Sequence, residues 1–284
     1  PASDETRAIS WPDSYNVHSH LNGGEDRMMD RSAYLARIGY EGALTPAIET
    51  LRGLHRAHVM TVPFENLDIH LGRPISLDSA DLFRKIVVDR RGGYCFELNG
   101  LFTLLLEDVG FAVTRLAARV LYGTEGVRPR SHQLLRVQLG EAAWIADVGF
   151  GGNGLLEPLR MADGQVEQQG TDRFRLVAQE REGYLLQCEM DGIWTNLYSF
   201  ALDPWLPIDY AFANYYHSHS PDSLFMQRRI CTMPTPEGRT TLVDNLLKVR
   251  GREGMQELQV TSEDGGRQLL QQHFGLTIND HLRF

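Results

Sequence analysis

"RRGGYCFELNG", residues 90–100, decides how this chain reads. Two arginines and two glycines lead into a lone cysteine, and an apolar helical pattern follows. Leu98, Leu101, Phe102, Leu105 and Val109 recur at steps of three and four, so Cys95 opens a helix with one apolar face, which Gly110 ends. Gly92-Gly93 supplies a flexible turn of close approach. A helix N-terminus carries partial positive charge and unpaired N–H groups, and both favour thiolate over thiol. From this stretch alone two readings stand: an activated nucleophile, or a small buried hydrophobe.

Working outward, residues 31–109 read as helical. Tyr34, Leu35 and Ile38 form a short apolar stripe. Thr45-Pro46 is a helix start, with the hydroxyl as cap and Leu51 and Leu54 on the inner face. Asp78 caps a third helix whose inner face is Leu82, Phe83, Ile86 and Val87. After Phe111 the period shifts toward two. "TRLAARVLYG", "HQLLRVQL", "AAWIADVGF", "FRLVAQ" and "YLLQCEM" are strand-like, with turns at Asp163-Gly164 and Asp191-Gly192. Strands in series predict an antiparallel barrel or sandwich. Beyond Asp203-Pro204 the pattern mixes: a helix near 207–217, a loop "HSHSPDS", strands near 239–249 and 256–261, and a last helix over Glu263–Phe274 capped by Ser262.

A cysteine nucleophile needs a base, and the base needs an orienting acceptor. His132 begins the run "HQLLRVQL". If that run pairs with "AAWIADVGF" across a two-residue loop at Gly140-Glu141, then Leu139 opposes Ala142 and His132 opposes Gly149. Asp147 then becomes the diagonal neighbour of His132 on the same face. An odd-length loop would separate them. A carboxylate in so apolar a run needs a partner, and Arg136 competes with His132 for that place.

Bulk properties bound the function. The 284 residues exceed what one small core needs. A net charge of -9 argues against nucleic acid as a partner. No apolar run approaches the about 20 residues that span a bilayer. Cys95, Cys188 and Cys231 are odd in number and far apart, without a Cys-x-x-Cys pair. That predicts neither a disulfide framework nor a metal site, and it places the chain in the cytoplasm. Residues 1–29 lack an apolar core and read as a disordered or non-native leader, with Met28 or Met29 as the natural start. Oligomeric state is not legible.

Four separated motifs, "VPFENLD" (62–68), "RRGGYCFELNGLF", "SHQLLRV" and "WIADVGFGG", together with "NYYHSHSPDSLF" (214–225) and "LLQQHFGL", resemble the bacterial arylamine N-acetyltransferases from about residue 30 to the end. The resemblance implies an α+β fold with a cysteine-protease-like core: a helical bundle over 30–110, an antiparallel β-barrel over 111–203, and an α/β lid over 204–284. It implies a Cys95-His132-Asp147 triad, acetyl-CoA as donor, and ping-pong transfer to arylamines, arylhydrazines or hydrazides. Phe64, Phe96, Phe150 and Tyr216 match positions at the acceptor, and Gly149, Gly151, Gly152 and Ser220 match positions near CoA. His219 stands where some relatives have threonine. Arg90 and Arg91 are expected to buttress the cysteine loop. Two rivals remain: a papain- or transglutaminase-like hydrolase using the same triad, and a binding module that keeps the fold without the chemistry.

Overall fold

A computed structural model describes residues 29–282 apart from 125, 181–182 and 253. The expected leader, 1–29, lies outside the described residues save for Met29. The first third holds helices α1 (Arg31–Ile38) and α2 (Ile48–Val59), the short strand β1 (Phe64–Glu65), and helices α3 (Leu67–His70), α4 (Ser79–Phe83) and α5 (Cys95–Val109). Asp78 caps α4 as expected, its carboxylate accepting from Ala80 N at 2.9 Å. The helix then loosens into a π-turn over Arg84–Val88. Thr45 does not cap α2. Its carbonyl accepts from Ala47 N at 2.7 Å, closing a tight turn around Pro46, and the helix starts only at Ile48.

Helix α5 is the axis of the bundle. Leu98, Leu101, Phe102 and Leu105 have no exposed surface, and Tyr34, Leu51, Leu54 and Ile86 pack around them. Burying each such side chain contributes about 1.5–3 kcal/mol. Gly110 at φ +101° ends the helix in the left-handed conformation that glycine adopts without strain.

Eight antiparallel strands follow: β2 (Ala112–Val120), β3 (His132–Leu139), β4 (Ala142–Ala146), β5 (Leu159–Arg160), β6 (Val166–Gln169), β7 (Asp172–Gln179), β8 (Gly183–Met190) and β9 (Ile193–Phe200). Their order is β5-β4-β3-β2-β9-β8-β7-β6, so the two edge strands are neighbours in the chain. The Gln169 side chain on β6 ties the edges together. Its Oε1 accepts from Leu156 N and Glu157 N at 2.9 and 3.0 Å, and its Nε2 donates to Glu157 O. The sheet thus rolls into a nearly closed barrel around Leu116, Leu134, Ile145, Phe174, Leu186 and Tyr198.

The last third holds α6 (Tyr210–His219), α7 (Leu224–Gln227), β10 (Ile230–Thr235), β11 (Gly238–Val243), β12 (Leu246–Gly251), β13 (Gly254–Gln259) and α8 (Glu263–Phe274). The single strand expected near 239–249 is a hairpin, β11–β12, that turns at Asp244 (φ +54°). Ser262 caps α8 by accepting from Gly265 N at 3.1 Å. This second sheet runs β1-β10-β11-β12-β13, so it takes its first strand from beside the cysteine loop. Asn66 fastens that junction: Oδ1 accepts from Ile230 N at 2.7 Å, and Nδ2 donates to Phe225 O and Arg228 O.

Candidate active site

Residues 90–94 are locked before the helix begins. Arg91 Nε donates to Glu65 Oε1 at 2.9 Å, and Arg91 Nη2 lies 3.0 Å from Asp68 Oδ1. Lys85 Nζ bridges Asp68 and Glu97 at 2.7 and 2.6 Å. Glu97 closes the circuit by accepting from Tyr94 N at 3.0 Å, which holds the first turn of α5. Five charged groups are therefore packed beneath one loop. Arg91 carries the expected buttress. Arg90 does not share it: its side chain is exposed and its backbone sits at φ +53°. The double glycine is there for space. A Cβ on Gly92 would stand 2.0 Å from the Pro63 carbonyl oxygen, and one on Gly93 would stand 2.8 Å from Glu97.

Cys95 is the first residue of α5 and is 3% exposed. Its Sγ lies 3.9 Å from the carbonyl oxygen of Ser131, the residue before His132. His132 starts β3 at the barrel's end, buried against the rings of Phe150 (5.3 Å) and Tyr198 (5.1 Å). The hairpin has the expected two-residue loop, with Leu139 opposite Ala142 and Leu135 opposite Ala146. Pairing stops at Ala146. Asp147 turns off the strand and meets His132 directly, Nε2 to Oδ2 at 2.7 Å. Arg136 is not its partner; it donates to Gln138 Oε1.

Two residues that sequence reasoning missed complete the carboxylate's surroundings. Asn99 Nδ2 donates to Asp147 Oδ1 at 2.9 Å and to Gln133 O at 2.7 Å, while its Oδ1 accepts from Val148 N. His55 on α2 accepts the Asp147 N–H on Nε2 at 3.1 Å, and its Nδ1 bonds the Leu156 carbonyl at 3.0 Å. Asn99 was findable: it sits one turn after Cys95, a polar residue on the same face of the helix as the cysteine. His55 carried no signal, because its partner lies 92 positions away.

Burial alone would lower the His132 pKa, but the Asp147 carboxylate and the bonds to Asp147 and Cys95 push it up to about 10. Burial would raise Asp147, yet the charge and bond from His132, with the Asn99 and Gly149 donors, hold it below its ordinary value. Burial drives His55 down to about 4, against the Leu156 bond and the Asp147 charge. His55 is thus neutral and able to accept, whereas His132 is charged.

The remaining expected site residues fall into three places. Phe64 and Phe150 line one small cavity together with Gly151 and Gly152. A Cβ on Gly151 would lie 2.7 Å from the Phe64 ring, and one on Gly149 would lie 2.8 Å from Cys95 Cα, so both glycines permit contact. Phe96 is not among them. Its ring packs on Tyr94 and Tyr210 at 5.5 Å and lines a separate cavity. Tyr216 and Ser220 lie at the end of α6, with Tyr216 partly exposed and Ser220 Oγ accepting from Asp222 N. His219 stacks on Tyr215 at 4.3 Å. Tyr94 Oη bonds Asn214, which fastens α6 beside the cysteine. Among the described residues no cluster of three or more His, Cys, Asp or Glu could hold a metal ion. No described helix is long and apolar enough to cross a membrane.

A family profile described as N-acetyltransferase matches residues 47–283. The chain is 39% identical over 251 residues to an arylamine N-acetyltransferase / N-hydroxyarylamine O-acetyltransferase of Salmonella typhimurium, covering 87% of this chain and 89% of that protein. A solved structure of the Salmonella typhimurium arylamine N-acetyltransferase superposes with a TM-score of 0.83 at 38% identity, covering 88% of this chain and 92% of that one. The Mycobacterium marinum arylamine N-acetyltransferase in complex with CoA gives 0.82 at 32% identity, over 87% and 92%. The chain belongs to the arylamine N-acetyltransferase family.

Proposed function

We propose that this member of the arylamine N-acetyltransferase family moves the acetyl group of acetyl-CoA onto arylamines, arylhydrazines or hydrazides, with Cys95 as the relay. The observation that carries the residue assignment is the buried His132–Asp147 pair beside Cys95, whose Sγ lies 3.9 Å from the Ser131 carbonyl that precedes His132, at the meeting of α5 and the barrel end. The proton of the Cys95–His132 pair rests on the imidazole, because Asp147 stabilises the cation. The sulfur attacks the thioester carbonyl. One carbon–sulfur bond forms as the bond to CoA breaks, and His132 gives its proton to the departing CoA thiolate. Thioester replaces thioester, so this half-reaction is close to balanced. The acceptor nitrogen then attacks the acetyl-cysteine. A carbon–nitrogen bond forms, the carbon–sulfur bond breaks, and His132 takes the proton that the nitrogen loses.

Supporting roles follow from placement. The Cys95 N–H, unpaired at a helix start, is assigned to the tetrahedral oxyanion. Phe64 and Phe150 form an apolar wall for a flat ring, with Tyr216 on α6 assigned to the same acceptor. Phe96 backs the nucleophile from the far side of α5 and takes no part in that wall. Gly149, Gly151, Gly152 and Ser220 are assigned to CoA. A free thiol relay is best kept in a reducing compartment, so the reaction is assigned to the cytoplasm.

Intact-protein mass spectrometry tests the reading. Acetyl-CoA alone should add one acetyl group to the protein, an arylamine should remove it as acetylated amine, and Cys95→Ala should show no adduct. A folded wild-type protein that takes no acetyl group would overturn it.

A further inference from the structure

A second cavity of about 280 Å³ lies on the other side of α5 from the Phe64–Phe150 wall. Leu82, Leu104, Pro207 and Tyr210 form its sides, and Phe96 and Gln133 form its floor. Gly100 leaves it open: a Cβ there would already touch Leu82 at 3.2 Å. Asp78 and Ser79 stand at the mouth and are exposed, so the cavity communicates with solvent.

Gln133 is the informative residue. Along β3 its neighbours Leu135 and Val137 join the helical core, whereas Leu134 joins the barrel core. Gln133 therefore points toward α5, away from His132. It is 2% exposed and lines the cavity, and among the described residues its one hydrogen bond with a side chain is through its backbone carbonyl, to Asn99. Neither amide atom is sealed in packed protein without a partner, so the amide opens into the apolar-walled space and is free to bond an occupant. We propose that this cavity is a second binding site, for a small neutral aromatic molecule with one hydrogen-bonding group directed at Gln133. The size limits the occupant to about one ring, since pockets for larger ligands start near about 300 Å³. Neutrality follows from the charges present. Arg115 is paired with Glu107 at 3.3 Å, and the Asp78 carboxylate accepts from Ala80 N and Asp81 N. A charged ligand would be desolvated with no free counter-charge. Phe96 follows Cys95 and Gln133 follows His132, so an occupant bears on both halves of the triad from behind.

Phenol is the probe: neutral, one ring, one hydroxyl, and neither amine nor acyl donor. Titration followed by saturation-transfer NMR should show binding to the full-length protein with a Kd of about 1 mM or tighter, as small ligands of this size reach. Gln133→Leu, similar in bulk and without the amide, should weaken it about tenfold. Leu104→Trp should fill the space and abolish it. No binding at about ten times that concentration, or binding equal to wild type in the folded Gln133→Leu protein, would overturn the proposal. The readout is binding alone, so it stands apart from acetyl transfer.

Discussion

Two buried charge clusters flank Cys95, and they are built on opposite rules. In front, a single charge pair, His132–Asp147, is surrounded by neutral donors and acceptors from Asn99, Gly149 and His55. Behind, Lys85 and Arg91 are matched with Glu65, Asp68 and Glu97. The rear cations do not lose their protons near neutral pH. The front cation does so within reach of ordinary chemistry. One cluster holds a position, and the other lets a proton come and go without disturbing that position.

The comparison can be broken or sharpened by experiment. Cys95→Ala, which leaves both clusters intact, should reduce acetyl transfer by about 10⁴-fold or more with an unchanged melting temperature. Asp147→Asn should lower kcat about 10³-fold, because the amide neither stabilises the imidazolium nor fixes its tautomer; a steady-state assay reads this. Arg91→Met should act mainly on the fold, costing about 3–5 kcal/mol in urea denaturation by taking the ion-pair partner from the fully buried Glu65 carboxylate. A Met variant that lost turnover at full stability would erase the distinction between the clusters.

A titration of stability sharpens the front pair. The folded pKa of His132, about 10, stands above its unfolded value, so its contribution is complete below about 6.5 and is lost as pH rises through about 10. Asp147 is depressed, so its contribution is present above the ordinary carboxylate pKa and is lost as pH falls into the acid range. The urea midpoint should therefore be highest between the two limits and fall on both sides, and His132→Gln should flatten the alkaline limb. The smallest effect belongs to Arg90→Ala. That exposed residue pairs with neither cluster, and calorimetry should find a change within about 0.5 kcal/mol.

Much of this was legible because it is local. The apolar period of α5, the Asp78 and Ser262 caps and the Gly140-Glu141 turn are each written within a few residues, so Asp147 could be brought to His132 by counting along a hairpin. Contacts that close over long stretches were not legible. His55 under Asp147 and Glu65 under Arg91 depend on packing between elements, and no period or motif encodes them. β10 was missed for a related reason. Pro234 reads as a strand breaker, yet β1 pairs only with Cys231 and Thr232, so the proline's missing N–H falls where no partner stands. β9 was missed although its alternation is plain, and Thr45 was assigned a cap because its carbonyl's use in a turn is invisible in the letters.

The strand β1 also sets a schedule. Glu65 N donates to the Gly93 carbonyl at 2.9 Å on one side of that strand, while Cys231 and Thr232 pair with it on the other. The loop before the nucleophile is thus braced by a segment that leaves the ribosome more than 130 residues after it. Chains emerge N-terminus first. The nascent protein must carry the outer edge of β1 unpaired through most of its own synthesis, and the sheet that backs the loop closes only when the last third of the chain comes back to meet the first.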